Sequence, residues 1–372
     1  MMKKIRLSKA SISEAEKAAV IQTLDDEFLG MGSHVEAFEK KIKDYLGTDM
    51  GVVCVSSGTS ALHIALAGIG VGPGDEVLVP SMTYVASFQA ISATGATPVP
   101  CEVSPETLFI DPEDAKKRVT DKTRAIMPVH YASSSKGMDR VYNLASDYGL
   151  RVIEDAAQAF GCKRGGETVG TVGDVICFSF DGIKNITCGE GGAILTNNLE
   201  LLEKFKDSRL LGVQKDTAKR YSGTRSWDFD VAEQGWRYHM SNIMASIGLV
   251  QIDRIDAFRA SRQKIVSRYL SELQTVEHVT SLELEYEELL PHIFVVKVVN
   301  RNKLREYLDS NGIETGLHYK PNHLLTKYAR NECLPITERL YKNVLTLPCH
   351  HDLKDEEQEF VLKKIKDFYC DI

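Results

Sequence analysis

Short apolar runs alternate with amphipathic stretches between about residues 50 and 200, and glycine-rich turns separate them. Apolar residues at helical spacing predict a helix directly after Ser57 and another over residues 138–148. Strands that alternate with helices are typical of an α/β sheet covered by helices. The strands of this sheet are predicted at residues 51–56, 77–80, 97–103, 124–130, 151–154, 175–180 and 193–196.

The pattern changes after about residue 250. A long, charged, amphipathic helix is predicted over residues 254–273, and a strand follows at residues 292–299 among short helices. This change predicts a large α/β domain over residues 1–250, which includes the N-terminal segment, and a small C-terminal α+β domain over residues 251–372. No linker rich in Pro, Ser or Gly marks the boundary between them.

The composition is that of an ordinary globular protein, with 43% hydrophobic and 26% charged residues among 372. This balance excludes a disordered, collagen-like or disulfide-scaffold chain. The formal net charge of −7 gives no general positive field for nucleic acid or anionic lipid. No apolar run approaches the roughly 18 residues of a membrane-spanning helix, and MMKKIRLSKAS lacks the apolar core of a secretory signal. We therefore predict a cytoplasmic protein without nucleic-acid or membrane partners.

Eight cysteines are scattered along the chain, without a CxxC pair or ligand-like spacing. The pattern predicts neither a metal site nor a disulfide framework. We interpret most of these cysteines as small buried hydrophobic residues.

A turn of small residues, Ser56–Ser60 (SSGTS), joins the first predicted strand to its helix. The N-terminus of a helix offers unpaired N–H groups and the positive end of the helix dipole, so that a phosphate would bind well there. Gly58 lets a ligand approach the backbone, and hydroxyl groups such as that of Thr59 add donors. The competing interpretation is ordinary N-capping by Ser or Thr.

A second candidate follows the strand in VIEDAAQAFG, residues 152–161. A carboxylate at the end of a strand can hold a cationic ring nitrogen, and Asp155 is the better candidate. Glu154 points to the opposite face if the strand persists, so one of the two acids can be only a solvated or capping residue.

A third candidate is Lys184, in the turn CFSFDGIKNITCGEGG between two apolar strands. Burial in such a turn would lower the pKa of the lysine and make it a usable nucleophile or base. A phosphate site, an acid at a strand end and a lysine in a loop are together the parts of a pyridoxal phosphate site.

Many ordered motifs make the chain similar to the DegT/DnrJ/EryC1/StrS family of sugar-nucleotide aminotransferases, which are fold-type I pyridoxal-phosphate enzymes. The resemblance runs from FLGMGSHVEAFEKKIKDYLG through SSGTSALHIALAGIGVGPGDEVLVPSMTYVAS, GATPVPCEV, MPVHYA, VIEDAAQAFG, GDVICFSFDGIKN and GEGGAILTN to LTLPCH. It implies a large domain with a mainly parallel sheet, a small C-terminal α+β domain and a homodimer with both active sites at the interface.

The resemblance assigns catalysis to two residues. Lys184 would bind the cofactor covalently and then move a proton, and Asp155 would pair with the pyridinium nitrogen. Tyr84 would stack on the cofactor ring, unless it is only a core aromatic residue. The implied cofactor-binding set is Ser57, Gly58, Thr59, Tyr84, Asp155, Gln158, Ser179, Lys184 and Arg237.

Arg237 belongs to a motif that departs from the family pattern. Many members have GYNYRM where this chain has GWRYHM at residues 235–240. The asparagine of that motif helps to bind the neighbouring subunit's cofactor phosphate. Arg237 in its place could bind the phosphate, the diphosphate of the substrate or a donor carboxylate. His239 replaces the usual arginine and could simply pack at the interface.

The segment LHYKPNH, residues 317–323, resembles the border of the family's sugar pocket. Polar loop residues are usually only solvated, which is the competing interpretation for all of them. His63, on an apolar helix, is interpreted as a packed core residue. The candidate substrate-binding residues are His318, Tyr319, Lys320, His323, His130 and Tyr131.

The resemblance implies ping-pong transfer of an amino group from L-glutamate to a nucleotide-linked keto (deoxy)sugar, with pyridoxal 5'-phosphate as cofactor and pyridoxamine 5'-phosphate as its intermediate form. Such a reaction would serve polysaccharide, glycoprotein or antibiotic biosynthesis. A cyclitol ketone is an alternative acceptor, and a non-catalytic sensor of sugar nucleotides is an alternative function. A dehydratase is disfavoured because family dehydratases replace the lysine by histidine. The sequence specifies neither the nucleotide, the sugar, the aminated carbon nor its stereochemistry.

Overall fold

A computed structural model describes residues 4–329 and 332–370 of the chain and contains a seven-stranded sheet. The strand order is β1-β9-β8-β5-β4-β2-β3, in which β9 runs antiparallel to both of its neighbours and the remaining pairs are parallel. The strands of the described residues are β1 (Gly51–Val55), β2 (Glu76–Pro80), β3 (Thr97–Cys101), β4 (Thr123–Ile126), β5 (Arg151–Asp155), β6 (Lys163–Arg164), β7 (Glu167–Thr168), β8 (Val175–Ser179), β9 (Gly192–Thr196), β10 (Val279–Ser281), β11 (Phe294–Val298) and β12 (Val344–Leu347).

Helices cover this sheet and the smaller one described below. The α-helices of the described residues are α1 (Glu14–Asp25), α2 (Ser33–Leu46), α3 (Gly58–Gly68), α4 (Val85–Ala93), α5 (Pro112–Lys117), α6 (Met138–Tyr148), α7 (Leu199–Ser208), α8 (Thr217–Tyr221), α9 (Asn242–Asp253), α10 (Ile255–Leu273), α11 (Arg301–Ser310), α12 (Pro335–Asn343) and α13 (Asp355–Cys370). The helices predicted after Ser57, at residues 138–148 and at residues 254–273 are thereby confirmed as α3, α6 and α10.

The strands in the middle of the large sheet are buried on both faces, which explains their continuous apolar sequences. Along β8, Ile176 and Phe178 belong to one hydrophobic cluster, and Val175 and Cys177 belong to a second cluster on the other face. The alternation follows from the two-residue repeat of a strand. The predicted α/β class with a large, mostly parallel sheet is therefore confirmed.

A second sheet of three antiparallel strands, β10-β11-β12, lies in the C-terminal part of the chain. Its hydrophobic cluster includes side chains from α10, α11 and α13. Ile5 also belongs to this cluster and forms a bridge to Ile313, so the N-terminal stretch contacts the C-terminal part of the chain. The domain boundary near residue 250 stays a prediction.

One predicted strand is too long. The strand expected over residues 124–130 ends at Ile126, because Pro128 has no N–H to donate to a neighbouring strand. The chain beyond it pairs with β5 through an isolated bridge between Val129 and Asp155, and then turns at Tyr131–Ser133.

A buried ion pair joins α2, β1 and α8. The guanidinium of Arg209, which is 0% exposed, donates from Nη1 to Oε1 of Glu39 at 2.5 Å and to the carbonyl of Cys54 at 2.7 Å. Nη2 donates to the Tyr221 hydroxyl at 2.8 Å. Removal of one member of such a pair leaves an uncompensated buried charge.

We therefore expect Arg209→Met to lower the free energy of unfolding by about 3–5 kcal/mol. Chemical denaturation of the variant measures the loss. The control, Lys264→Met, breaks the exposed pair with Asp355 and should cost less than about 1 kcal/mol. Equal losses in the two variants would show that Glu39 tolerates a missing partner. The double variant Glu39→Leu/Arg209→Met should recover most of the loss.

Candidate active site

A cavity of about 390 Å³ lies at the carboxyl ends of β5 and β8 and at the N-termini of α3 and α4. Ligands of α/β sheets bind at this edge, because the strand ends and helix N-termini meet there. Residues from the C-terminal part of the chain complete the wall. The predicted site residues that line the cavity are Ser57, Gly58, Thr59, Tyr84, Asp155, Gln158, Ser179, Lys184, His318 and Tyr319.

Asp155 is the last residue of β5 and is only 5% exposed. Its Oδ2 accepts a hydrogen bond from Ser87 Oγ at 2.7 Å, and its Oδ1 accepts one from the backbone N–H of Ala157 at 3.2 Å. Burial raises the pKa of Asp155, although these hydrogen bonds and the nearby Lys184 act in the opposite direction. A cation bound beside this carboxylate would therefore be strongly favoured.

Lys184 lies in the turn after β8, where its backbone N–H donates to the carbonyl of Asp181 at 3.1 Å. Burial lowers the pKa of the Lys184 amine, and the charges of Asp155 and Asp181 only partly oppose this effect. A lowered pKa increases the fraction of neutral amine at neutral pH, which is the form that attacks carbonyl groups and accepts protons.

The turn before α3 forms a candidate anion site. Ser57 is the N-cap of α3, and its hydroxyl accepts a hydrogen bond from the N–H of Ser60 at 3.1 Å. The first N–H groups of a helix have no acceptor within the helix, and here they belong to Gly58 and Thr59. A Cβ added to Gly58 would lie 2.7 Å from the Cβ of Ser179, so glycine is needed for the turn to approach the end of β8.

Gln158 connects two parts of the wall. Its Oε1 accepts from the N–H of Ala132 at 2.9 Å, and its Nε2 donates to the Tyr319 hydroxyl at 3.0 Å. The ring of Tyr319 is 5.8 Å from that of Tyr84. Tyr84 is 58% exposed although it is a large aromatic residue, so its ring offers a free face inside the cavity.

Four predicted substrate-binding residues do not line this cavity of the single chain. His130 follows β4 and is 0% exposed, because it packs against the buried Glu154. Nε2 of His130 is 2.8 Å from Oε2 of Glu154. Tyr131 is buried and donates to the backbone carbonyl of His318. His323 is buried against Ser81 Oγ at 2.7 Å, and Lys320 is exposed outside the cavity.

Glu154 is not a solvated or capping residue, as one of the two acids was expected to be. It is 1% exposed and accepts a hydrogen bond from Tyr142 as well as from His130. The alternation of the strand is as predicted, but the face opposite the cavity is also buried.

Arg237 is exposed and does not line the cavity of its own chain. It lies on an extended segment that bridges to Leu210, and its two sequence neighbours, Trp236 and Tyr238, stack on each other with 6.1 Å between their ring centroids. Burial, followed by the charges of nearby arginines, lowers the pKa of His239 to about 4. His63 packs against Trp236, with 4.5 Å between ring centroids, and is a buried residue as predicted.

The sequence analysis missed three titratable residues that line the cavity: Asp181, Glu190 and His292. His292 is 3% exposed, and its Nδ1 has no hydrogen-bond partner among residues 4–329 and 332–370. Burial, followed by the charge of Lys184, holds the pKa of His292 well below its ordinary value. Its position before an apolar strand gives no sign of this role, because the cavity wall is assembled from distant parts of the chain.

The described residues contain no helix that is both long and apolar enough to cross a membrane. Nor do they contain a group of three or more His, Cys, Asp or Glu side chains placed to hold a metal ion. Six of the eight cysteines are buried and none is paired in a disulfide, whereas Cys333 and Cys370 are exposed.

Known proteins resemble the chain over nearly its whole length. It matches the model of the DegT/DnrJ/EryC1/StrS aminotransferase family over residues 10–366. It is also 34% identical over 367 residues to the uncharacterised protein MJ1066 of Methanocaldococcus jannaschii, and the alignment covers 95% of each chain.

Several solved structures have a fold similar to that of this chain. DesV of S. venezuelae, solved with a ketimine intermediate, is 34% identical with a TM-score of 0.87, over 95% of this chain and 94% of that chain. Spr1654 of Streptococcus pneumoniae in its PMP form is 30% identical with a TM-score of 0.91, over 99% and 98%. The sugar aminotransferase CalS13 of Micromonospora echinospora is 28% identical with a TM-score of 0.90, over 98% and 99%. These likenesses confirm the predicted fold-type I class.

The proximity of Asp155 and Lys184 leads to a prediction for the isolated protein. Asp155→Asn removes a negative charge that favours the protonated amine, so the pKa of Lys184 should fall further. NMR of ¹³C-methylated lysines measures it, with Lys184→Arg to assign the signal. Asp174→Asn is the matched control, because Asp174 pairs with Arg151 instead. An unchanged or higher pKa in Asp155→Asn would contradict the proximity of the two charges.

Proposed function

The chain belongs to the DegT/DnrJ/EryC1/StrS aminotransferase family, and we propose that it transfers an amino group from L-glutamate to a keto (deoxy)sugar linked to a nucleotide diphosphate. The observation that carries the proposal is the convergence of Lys184, Asp155 and the N-terminus of α3 on one cavity. The coarser activity, that of a sugar aminotransferase with pyridoxal phosphate, is supported by the family and by the solved relatives.

The residues present fit pyridoxal phosphate in charge and shape. The N–H groups of Gly58 and Thr59, with the hydroxyl of Ser179, would hold its phosphate. The buried carboxylate of Asp155 would hold the protonated ring nitrogen, since burial raises its pKa and a bound cation would offset that cost. Ser57 would contribute less than the family pattern implies, because its hydroxyl already caps α3.

Two further side chains would hold the ring. Tyr84 offers an exposed aromatic face at the side of the cavity, and stacking would cover it. Hydrogen bonds to Ala132 and Tyr319 fix the side chain of Gln158, so its amide group would face the cofactor ring in one orientation. These contacts would keep the cofactor in one plane relative to Lys184.

When bound, pyridoxal phosphate supplies an aldehyde that reacts with amines and a ring that withdraws electrons from the substrate carbon. Lys184 Nζ would bind this aldehyde at rest and, once released, would take a proton from the substrate carbon and return it. Its lowered pKa suits this role, since the amine must be neutral to accept a proton. Asp155 would keep the ring nitrogen protonated throughout.

Donor and acceptor would use the same cavity in turn, which corresponds to a ping-pong reaction. His318 lines this cavity, and burial lowers its pKa to about 4, so it would present a neutral imidazole to the substrates. Tyr319, which also lines the cavity, adds a hydroxyl group. Neutral hydrogen-bonding groups of this kind suit the hydroxyl groups of a sugar.

A homodimer is part of the proposal. Large apolar side chains are exposed in the single chain, including Ile21 (58%) on α1, and Trp227 (87%) and Phe229 (55%) in the segment that precedes Arg237 in the sequence. Large exposed apolar side chains are typical of a surface that a second subunit covers. A second copy at this surface would bring Arg237 toward the other active site, where its guanidinium would bind phosphate or diphosphate.

The first experiment tests the covalent role of Lys184. The purified protein is incubated with pyridoxal phosphate, treated with borohydride and digested, and we expect the added mass on the peptide that contains Lys184. L-Glutamate added before the reduction should remove most of this label, because the amino donor displaces the lysine. Lys184→Ala should show no labelled peptide, and the exposed-lysine control Lys264→Ala should behave as the wild type.

The outcomes separate the parts of the proposal. Absence of label on Lys184 in the wild type would overturn the assignment of the lysine. Label that is indifferent to glutamate would retain the site and discard this donor. Turnover of a cyclitol ketone in preference to nucleotide-linked keto sugars would replace the proposed acceptor.

A second prediction concerns the anion site. Gly58→Ala places a methyl group 2.7 Å from the Cβ of Ser179, which pushes the turn away from β8. We expect it to weaken the binding of pyridoxal phosphate by about tenfold or more, equivalent to about 1.4 kcal/mol. Fluorescence titration of the apoprotein measures this. The matched control is Gly72→Ala, where the nearest atom is 4.0 Å away. Unchanged affinity in Gly58→Ala would place the phosphate elsewhere.

A further inference from the structure

A buried asparagine, Asn185, connects the turn that carries Lys184 to two other parts of the chain. It is 2% exposed, and its Nδ2 donates to the backbone carbonyls of Phe160 at 2.9 Å and Leu290 at 3.1 Å. The carbonyl of Gln158 is a third acceptor, at 3.3 Å. Gln158 and Phe160 follow β5, whereas Leu290 precedes β11. One amide group thus joins segments that are distant in the sequence.

The oxygen of the same amide has no partner of its own. Oδ1 of Asn185 is buried and accepts no hydrogen bond within residues 4–329 and 332–370. An unsatisfied buried oxygen is costly. Rotation of the amide by half a turn would place Oδ1 against three carbonyl oxygens, so the side chain is held in one orientation. The bonds of Nδ2 therefore offset the cost of the unpaired oxygen.

Asn185 provides the polar contacts that hold the lysine turn. The N–H groups of Ile183 and Lys184 bond only to Asp181, within the turn itself. In the described part of the chain, the Asn185 side chain forms every hydrogen bond that residues 181–186 make outside residues 179–186. Ile186 is buried in a hydrophobic cluster, but Ile183 is 39% exposed. The outer side of the turn is therefore not held by packing.

A second side chain, Ser133, uses two of the same acceptors. Its Oγ lies 2.6 Å from the carbonyl oxygen of Gln158 and 3.1 Å from that of Leu290. The same Oγ accepts a hydrogen bond from the N–H of His292 at 2.8 Å. Ser133 thus joins the chain after β5 to the chain before β11, and Asn185 adds the lysine turn to them.

The location of the Lys184 amine determines its pKa. Burial is the main cause of the lowered pKa, and the charges of Asp155 and Asp181 oppose it. His292 and His318 also lie near the amine, and burial keeps both imidazoles neutral by lowering their pKa values. An outward shift of the turn would return the amine to water, so its pKa would rise toward the ordinary value of a lysine.

We propose that Asn185 is a positioning residue, which holds the Lys184 amine inside the cavity by connecting its turn to the chain after β5 and to the chain before β11. The importance of this contact for the reaction rests on the proposed function, in which Lys184 must reach both the cofactor and the substrate carbon. Asn185 does not line the cavity, so it acts through Lys184. The competing interpretation is a buried amide that contributes to stability alone.

The test compares three variants of the full-length protein. Asn185→Ala removes all three bonds without adding volume. Asn242→Ala is the control for stability, because Asn242 is also 2% exposed and its Nδ2 donates to the carbonyl of Phe28 at 2.9 Å. Ser133→Ala is the control for the shared acceptors, because it removes a donor from them and leaves the lysine turn connected. Thermal unfolding measures the structural cost of each change.

The first measurement is the pKa of Lys184 in the apoprotein, by NMR of ¹³C-methylated lysines with Lys184→Arg for assignment. The pKa should rise in Asn185→Ala, because the amine regains water. It should stay unchanged in Asn242→Ala and Ser133→Ala, even where these variants unfold at a lower temperature. This measurement needs no cofactor, so its result stands even if the proposed function fails.

The second measurement is the half-reaction of the pyridoxal phosphate form with L-glutamate, followed by absorbance at increasing glutamate concentration. A displacement of about 1 Å can slow a reaction by about 100-fold. We expect a loss of this size in the maximal rate of Asn185→Ala and little change in the half-saturating concentration, because the amine that moves the proton is displaced while the donor still binds. Asn242→Ala should react at nearly the wild-type rate.

The outcomes separate this inference from the proposed function. An unchanged pKa of Lys184 in Asn185→Ala would overturn the inference, as would an equal rise in Ser133→Ala. If Asn185→Ala fails to fold, Asn185→Ser decides by the same measurement, since its short side chain cannot reach all three carbonyls. Failure of the wild type to react with pyridoxal phosphate would reject the proposed function instead and leave the pKa result standing.

Discussion

Two opposite charges that are both partly removed from water, on Asp155 and Lys184, are the constraint on which the rest of the site depends. Burial raises the pKa of the acid and lowers that of the amine, and each charge offsets part of the other's cost. Such a pair requires a rigid frame, because in a buried environment even a small change in the distance between the two charges changes both pKa values. The frame is the parallel pairing of β5 with β8, in which Asp155 lies opposite Cys177.

The antiparallel strand β9 has a distinct part in this frame. It returns along β1 and β8 and brings Gly192 beside Val55, directly under the turn that begins α3. A Cβ on Gly192 would lie 2.5 Å from the carbonyl oxygen of Ser57. The close approach that requires Gly58 against Ser179 is therefore accompanied by a second one, which requires Gly192 against the carbonyl of Ser57. These two close contacts set the position of the anion site.

Local pattern predicted the parts of the site that local forces determine. The apolar runs predicted the strands of the large sheet, the alternation within β5 separated Glu154 from Asp155, and the apolar flanks of the turn indicated a buried Lys184. The roles of Tyr84 and Gln158 came only from the resemblance to a family, since neither has a distinctive setting in the sequence. His130 and His323 lie away from the cavity because their contacts are set by the fold: Ser81 is 242 positions from His323. No local pattern contains that information, and the same holds for His292 in the cavity wall.

The adjacent acids at the end of β5 show why a strand end of this kind is costly to build. Because side chains alternate along a strand, one carboxylate lies in the cavity and the other on the opposite face, which is equally buried. Both carboxylates therefore need hydrogen-bond donors or opposite charges. Glu154 has three of them, His130, Tyr142 and Arg164, from three different elements. Among the described residues, Asp155 accepts hydrogen bonds only from Ser87 and a backbone N–H, and its pKa stays raised although the charge of Lys184 lowers it. The unequal satisfaction of two neighbouring carboxylates thus distinguishes the acid that supports the fold from the acid left available for a cationic ligand.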